Sequence, residues 1–302
     1  KYVSMRKIQR KYKTRVSLFI LVVFILSMAL VACKKEAHDI TIPIRTALDH
    51  AYACEDVLGP LPKFSCSDAI EVPTTKDGVP VTSFPVSEEG GIGSANPNDC
   101  DHPWAFGLAC QPGNKVGRYQ GLNIDGTENP NVVFITFCRD GGLGVIGYKF
   151  STGETCFFSI QDNANPNNPP NPGEDGYNNA WMNPNLVAAD KCVNCHMASP
   201  FIHSPAVDQL MNPANTSELL VPITGNEPYI VIGEEFKQPF TTNIQNSCTS
   251  CHRPQCTQHF ENYPLDELVM PPPFQNATDF DHSNISNEDR QAIRDWCNTL
   301  NL

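Results

Sequence analysis

Beyond its first fifteen residues the chain of 302 is poor in positive charge: 14 Lys and Arg stand against 33 Asp and Glu, a formal charge of −19. Phosphates would be repelled by such a surface, which argues against a role on nucleic acid and suits a cationic protein partner or simple solubility. Long uninterrupted helices are disfavoured too, because 26 Pro and 19 Gly break the chain into short elements joined by turns. The Asp-Gly pairs at Asp77-Gly78, Asp125-Gly126 and Asp140-Gly141 read as turns and not as a calcium site.

The positive charge that is present gathers at the start. Lys1, Arg6, Lys7, Arg10, Lys11, Lys13 and Arg15 come without an acid and precede an apolar run, residues 16–32, broken only by Ser17 and Ser27. That order is the pattern of a secretory signal. The run ends in Leu30-Val31-Ala32-Cys33, which resembles the lipobox of bacterial lipoproteins. The resemblance implies a signal peptide over residues 1–32 and lipidation of Cys33, with 33–50 as a tether. The expected location is the bacterial cell envelope, lipid-anchored and facing periplasm or cell surface. Lys34 after the Cys favours the outer membrane. An uncleaved membrane anchor is the alternative.

Thirteen cysteines in an exported chain imply an oxidising compartment. Four of them lie in two copies of one motif, Cys192-x-x-Cys195-His196 and Cys248-x-x-Cys251-His252. Covalent haem attachment needs two thiols that reach one edge of a porphyrin, and Cys at i and i+3 of a helical turn project to nearly the same side. A His at i+4 then offers its imidazole to the iron. Zinc is the competing reading of two Cys pairs. However, the 52 residues between them exceed the roughly 15–20 of compact zinc ribbons, and zinc does not account for a His after each pair. A thioredoxin-like pair lacks its βαβ context. The expected cofactors are therefore two covalently bound haem c groups.

Residues 51–160 have β texture. Segments 132–138, 144–150 and 155–160 are rich in β-branched and aromatic residues and bounded by Gly-containing turns. With one Cys assigned to lipid and four to haem, eight remain, enough for four disulfides. Sequence-local pairing gives Cys54–Cys66, Cys100–Cys110 and Cys138–Cys156 among fifteen possible connectivities of six Cys. Residues 161–179, dominated by Asn, Pro, Gly and Asp without apolar periodicity, read as a linker. An insertion between strands of one domain is the other reading. Residues 180–302 carry the motifs on short helical pieces. Ser286 caps a final helix, where Ile293, Trp296, Cys297 and Leu300 form one stripe. The expected fold class is α+β: a β-rich, disulfide-bonded N-terminal domain followed by a mainly α, loop-rich dihaem cytochrome c domain.

The second module resembles a class I cytochrome c, on residues 240–252, Met270-Pro271-Pro272-Pro273 and the terminal helix. The resemblance implies His252 as proximal and Met270 as distal iron ligand, with Cys256–Cys297 bonded near the helix crossing. Proximal His196 is equally clear, but its sixth ligand stays open between His203, placed first, and Met211, Met197, His102, His259, His282 or none. The function expected is electron transfer between redox partner proteins. The alternatives are a dihaem peroxidase-like enzyme, if the first haem has an open face, and a haem-based sensor.

Overall fold

The computed structural model describes residues 46–84, 93–94, 96–104, 110–139, 141–189, 192, 196, 199–224, 228–236 and 238, with Glu288, Gln291, Ala292 and Asp295 as helical residues near the C-terminus. All but those four trace one β-rich domain. Helix α1 (Ala47–Leu58) is followed by the short strands β1 (Ile70–Glu71), β2 (Thr75–Lys76) and β3 (Val79–Pro80). Four long strands come next: β4 (Lys115–Leu122), β5 (Glu128–Arg139), β6 (Gly142–Lys149) and β7 (Glu154–Ser159). After them lie α2 (Tyr177–Ala180), α3 (Pro184–Ala189), α4 (Pro205–Asp208), β8 (Met211–Asn212), β9 (Asn215–Leu219) and β10 (Ile230–Val231). The main sheet has six strands in the order β1-β4-β5-β6-β7-β10, antiparallel throughout except for the parallel β7–β10 pair.

This sheet is covered on both faces, which is why β5 is a continuous apolar run instead of an alternating one. Period-2 geometry sends Val132, Phe134 and Cys138 to one side, where α1 lays down Ala47, Ala51, Cys54 and Leu58. Val133 and Ile135 go to the other, against Phe201, Val207, Leu210 and Leu220. Gly147 on β6 allows this close approach, since a Cβ there would lie 2.7 Å from the Leu58 side chain. Helix α1 begins with a capping box in which Thr46 and Asp49 bond each other's backbone N–H. It therefore starts inside the stretch expected to be a tether. Its buried positions follow helical spacing and include His50, whose Nε2–H donates to the Phe157 carbonyl at 3.1 Å. That carbonyl lies beyond residues 154 and 155 of β7, where the β10 pairing ends.

Among the described residues the disulfides are Cys54–Cys156, Cys66–Cys138 and Cys100–Cys110. The expected Cys54–Cys66 and Cys138–Cys156 pairs are thus corrected, and register supplies the reason. Cys138 pairs with Leu143 on β6, whereas Cys156 pairs with Gly147. Four residues along a strand separate them by about 13 Å before two interstrand steps of about 4.8 Å are added. No disulfide spans that, the usual Cα separation being about 4.4–6.8 Å. Cys54 on α1 instead meets Cys156 at a Cα distance of 6.2 Å, and Cys66 meets Cys138 at 5.8 Å. Three disulfides agree with an extracytoplasmic protein. Among the described residues no helix is long and apolar enough to cross a membrane.

Residues 161–179, expected as a linker, are seated on the domain. The Pro166 carbonyl accepts from the Cys66 N–H, the Asn167 carbonyl from the Ser65 hydroxyl, and the Pro170 carbonyl from Trp181 Nε1–H. Tyr177 and Trp181 are each 3% exposed in the core beneath α1. Residues 180–236 continue on the same sheet, since Trp181 bridges Ile160 and β10 joins β7. The expected boundary therefore does not divide the described residues. The bulk of the expected cytochrome module, residues 239–287, lies outside them.

Candidate metal centre

Met182, α3 and Cys192 lead into the first motif beside β7. The Met182 N–H donates to the Ser159 carbonyl at 2.9 Å, which fixes where this segment leaves β7. The His196 N–H donates to the Cys192 carbonyl at 2.8 Å, the i to i−4 bond of a helical turn. The thiol and the imidazole are therefore one turn apart on a common face. The Cys192 thiol donates to the Val187 carbonyl at 3.3 Å, and Cys192 packs against an apolar cluster containing Phe157, Val187, Tyr229, Val231 and Phe236. Ile146, Met182 and Ala188 pack on the same cluster.

His196 is held by both its ring and its main chain. Nδ1 lies 2.8 Å from the Pro200 carbonyl. A carbonyl can only accept, so Nδ1 carries the proton and Nε2 presents a lone pair when the ring is neutral. Burial favours that neutral state and pushes the imidazole down to about 4, against the opposing pull of the Pro200 and Ser199 carbonyls. The ring packs 5.5 Å from that of Phe157, and the Tyr229 hydroxyl donates to the His196 carbonyl at 2.6 Å. A neutral imidazole anchored through one nitrogen to a backbone carbonyl is how metal-ligating histidines are oriented. With a thiol one turn away and an aromatic apolar wall behind, Cys192 and His196 fit a covalently held haem.

The other residues nominated from sequence divide into two groups. Cys33, Cys195, Cys248, Cys251, His252, Met270, Met197, His259, His282, Cys256 and Cys297 lie outside the described residues. His203 and Met211 are described, and neither belongs to the cluster around Cys192. His203 Nδ1 lies 2.6 Å from the Asp208 carboxyl and Nε2 lies 3.3 Å from the Pro222 carbonyl. Asp208 is 2% exposed; burial raises its carboxyl, and the His203 partner opposes that shift. Both ring nitrogens of His203 are thus engaged within its own segment. Met211 lies in the β8–β9 hairpin and is 40% exposed. His102 sits beside the Cys100–Cys110 disulfide, and its Nδ1 is buried without a hydrogen-bond partner among the described residues.

Sequence reasoning passed over Met182, Asp208 and Tyr229. One signal for Met182 was available: Met182-Asn183-Pro184 has the same sequence as Met211-Asn212-Pro213, which begins at a nominated ligand. No family model, curated protein or solved structure matches the chain.

Proposed function

We propose that this chain is a lipid-anchored dihaem c-type cytochrome that transfers electrons in the bacterial envelope. The observation that supports it most is the His196 ring, anchored to the Pro200 carbonyl through Nδ1 at 2.8 Å one helical turn from Cys192. Cys192 and Cys195 would form the two thioethers of the first haem and His196 would ligate its iron. Cys248, Cys251, His252 and Met270 would hold the second haem in a helical cytochrome c module. When bound, each haem iron would exchange one electron between its ferrous and ferric states.

The chain's own residues do the positioning. Burial keeps the His196 imidazole neutral and the Pro200 carbonyl sets its tautomer. The cluster around Phe157 and Phe236 excludes water from one side of the site, which tunes the potential of a bound haem. The acidic surface would favour cationic redox partners by long-range attraction, more strongly at low salt. Lipidation at Cys33 would tether the protein, the outer membrane being favoured.

Haem content tests this directly. A pyridine haemochrome spectrum combined with intact mass is expected to give two covalent haems per mature chain, and one in Cys192→Ala. Bound zinc without haem would overturn the reading. Rapid turnover of added peroxide by a high-spin ferric haem would instead assign the chain to the enzyme class.

A further inference from the structure

We infer that the thioether of Met182 is the sixth ligand of the iron held by His196. The inference rests on the haem reading above and deepens it by naming the group on the far side of the first iron. Met182 and Cys192 pack on the same apolar cluster, and that cluster includes Phe157, whose ring lies 5.5 Å from the imidazole of His196. Met182 and Cys192 thus share one apolar patch beside β7 and the His196 ring borders that patch at Phe157, although Met182 precedes the motif in sequence. Its starting point is fixed. The Met182 N–H bonds the Ser159 carbonyl, and the preceding Trp181 is buried and bonded through Nε1 to the Pro170 carbonyl.

Chemistry favours a thioether at this place. Sulfur in a thioether needs no hydrogen bond, so Met can sit in an apolar cluster without the desolvation cost that an unpaired imidazole would carry. It is also a soft, weakly accepting donor suited to haem iron in His/Met sites. Two of the candidates nominated from sequence, His203 and Met211, are placed less well. His203 would have to surrender its Pro222 contact while its Nδ1 is held against the Asp208 carboxyl at 2.6 Å. Met211 is 40% exposed on a separate hairpin. A His196/Met182 pair would give the first haem a higher potential than a bis-His pair would.

The test uses the full-length, haem-loaded protein and the variant M182L. Leu conserves the shape and volume of Met closely enough to be tolerated in a core, so a packing role alone would leave the spectrum unchanged. The wild type is expected to show the near-red sulfur-to-iron charge-transfer band of ferric His/Met haem. M182L is expected to lose that band at one of its two haems and convert that haem from low to high spin by electron paramagnetic resonance. M182H is expected to restore a low-spin haem at a lower potential. Spectra of M182L and M182H that both superimpose on the wild type would overturn the ligand assignment while leaving the haem reading intact. Loss of the band in M211L, or of a low-spin signal in H203Q, with M182L unaffected would overturn it as well. Absence of covalent haem from the wild type would instead sink the parent reading. Should M182L fail to retain the first haem, a low-spin, low-potential M182H supports the assignment, and a high-spin M182H refutes it.

Discussion

His50 is 2% exposed on the inner side of α1, with Nε2–H bonded to the Phe157 carbonyl and Nδ1 buried without a partner among the described residues. Protonation would add a second N–H with nowhere to donate. Burial accordingly pushes this imidazole from its ordinary 6.5 down to about 4, the Phe157 carbonyl opposing the shift. Because the folded value is depressed, the unfolded chain binds more protons between those two values. The associated stability is present above about pH 6.5 and is lost as pH falls toward 4. One pKa unit corresponds to about 1.4 kcal/mol, so acidification from pH 7 should remove about 2 kcal/mol by pH 5 and about 3 kcal/mol by pH 4. Other groups titrate across the same range, so the informative quantity is a difference. Denaturant unfolding of wild type and H50Q, followed from pH 7 to pH 4 with disulfides intact, isolates it. Gln keeps a donor for the Phe157 carbonyl and does not titrate. The wild type should lose about 3 kcal/mol more than H50Q over this interval, with a difference slope never exceeding one proton. Parallel curves for the two proteins would refute the reasoning.

Mapping of a non-reduced digest should recover peptides joining Cys54 to Cys156, Cys66 to Cys138 and Cys100 to Cys110; a Cys54–Cys66 product would contradict the register argument. Since Cys66–Cys138 closes a separation of 72 residues, C66A/C138A should lower stability by about 4 kcal/mol on the chain-entropy account, readable as a shift in the denaturant midpoint. Gly153 has φ of 81°, and a Cβ there would meet the Pro228 carbonyl oxygen at 1.9 Å. G153A should therefore loosen β10, at about 1–3 kcal/mol, and speed amide exchange at Ile230 and Ile232, which donate to Gly153 and Thr155. Unchanged exchange at both amides would count against this.

Residues 132–160 were the easiest part to read, because β-branched and aromatic runs between Gly turns have few other outcomes. The observed strands extend those expectations by a few residues at most. Disulfide pairing was not legible. It depends on strand register, and register places Cys138 and Cys156 four positions apart along β6. Helix α1 carries a readable start signal in Thr46 and Asp49, but its first turn falls in a stretch that looks like a tether after a lipidated cysteine. Residues 161–179 have the same composition whether free or seated. What seats them is Trp181 and Tyr177, two anchors just beyond the Asn-rich run. The motif at Cys192 and His196 was legible because five consecutive residues carry it. The Met182 contact was not, because it is made across the end of β7 from a position upstream.

The three disulfides among the described residues are concentric: 100–110 lies within 66–138, which lies within 54–156. A chain made N-terminus first shows Cys54 earliest, yet its partner arrives last of the six. The nearest thiol offered to it meanwhile is Cys66, and that union would block both outer rings at once. Correct oxidation then depends either on holding Cys54 reduced until the whole sheet has emerged, or on an exchange catalyst that undoes the premature link. Production of this protein in a host that oxidises thiols in order of appearance should accumulate that trapped isomer, and supplying a disulfide isomerase should relieve it.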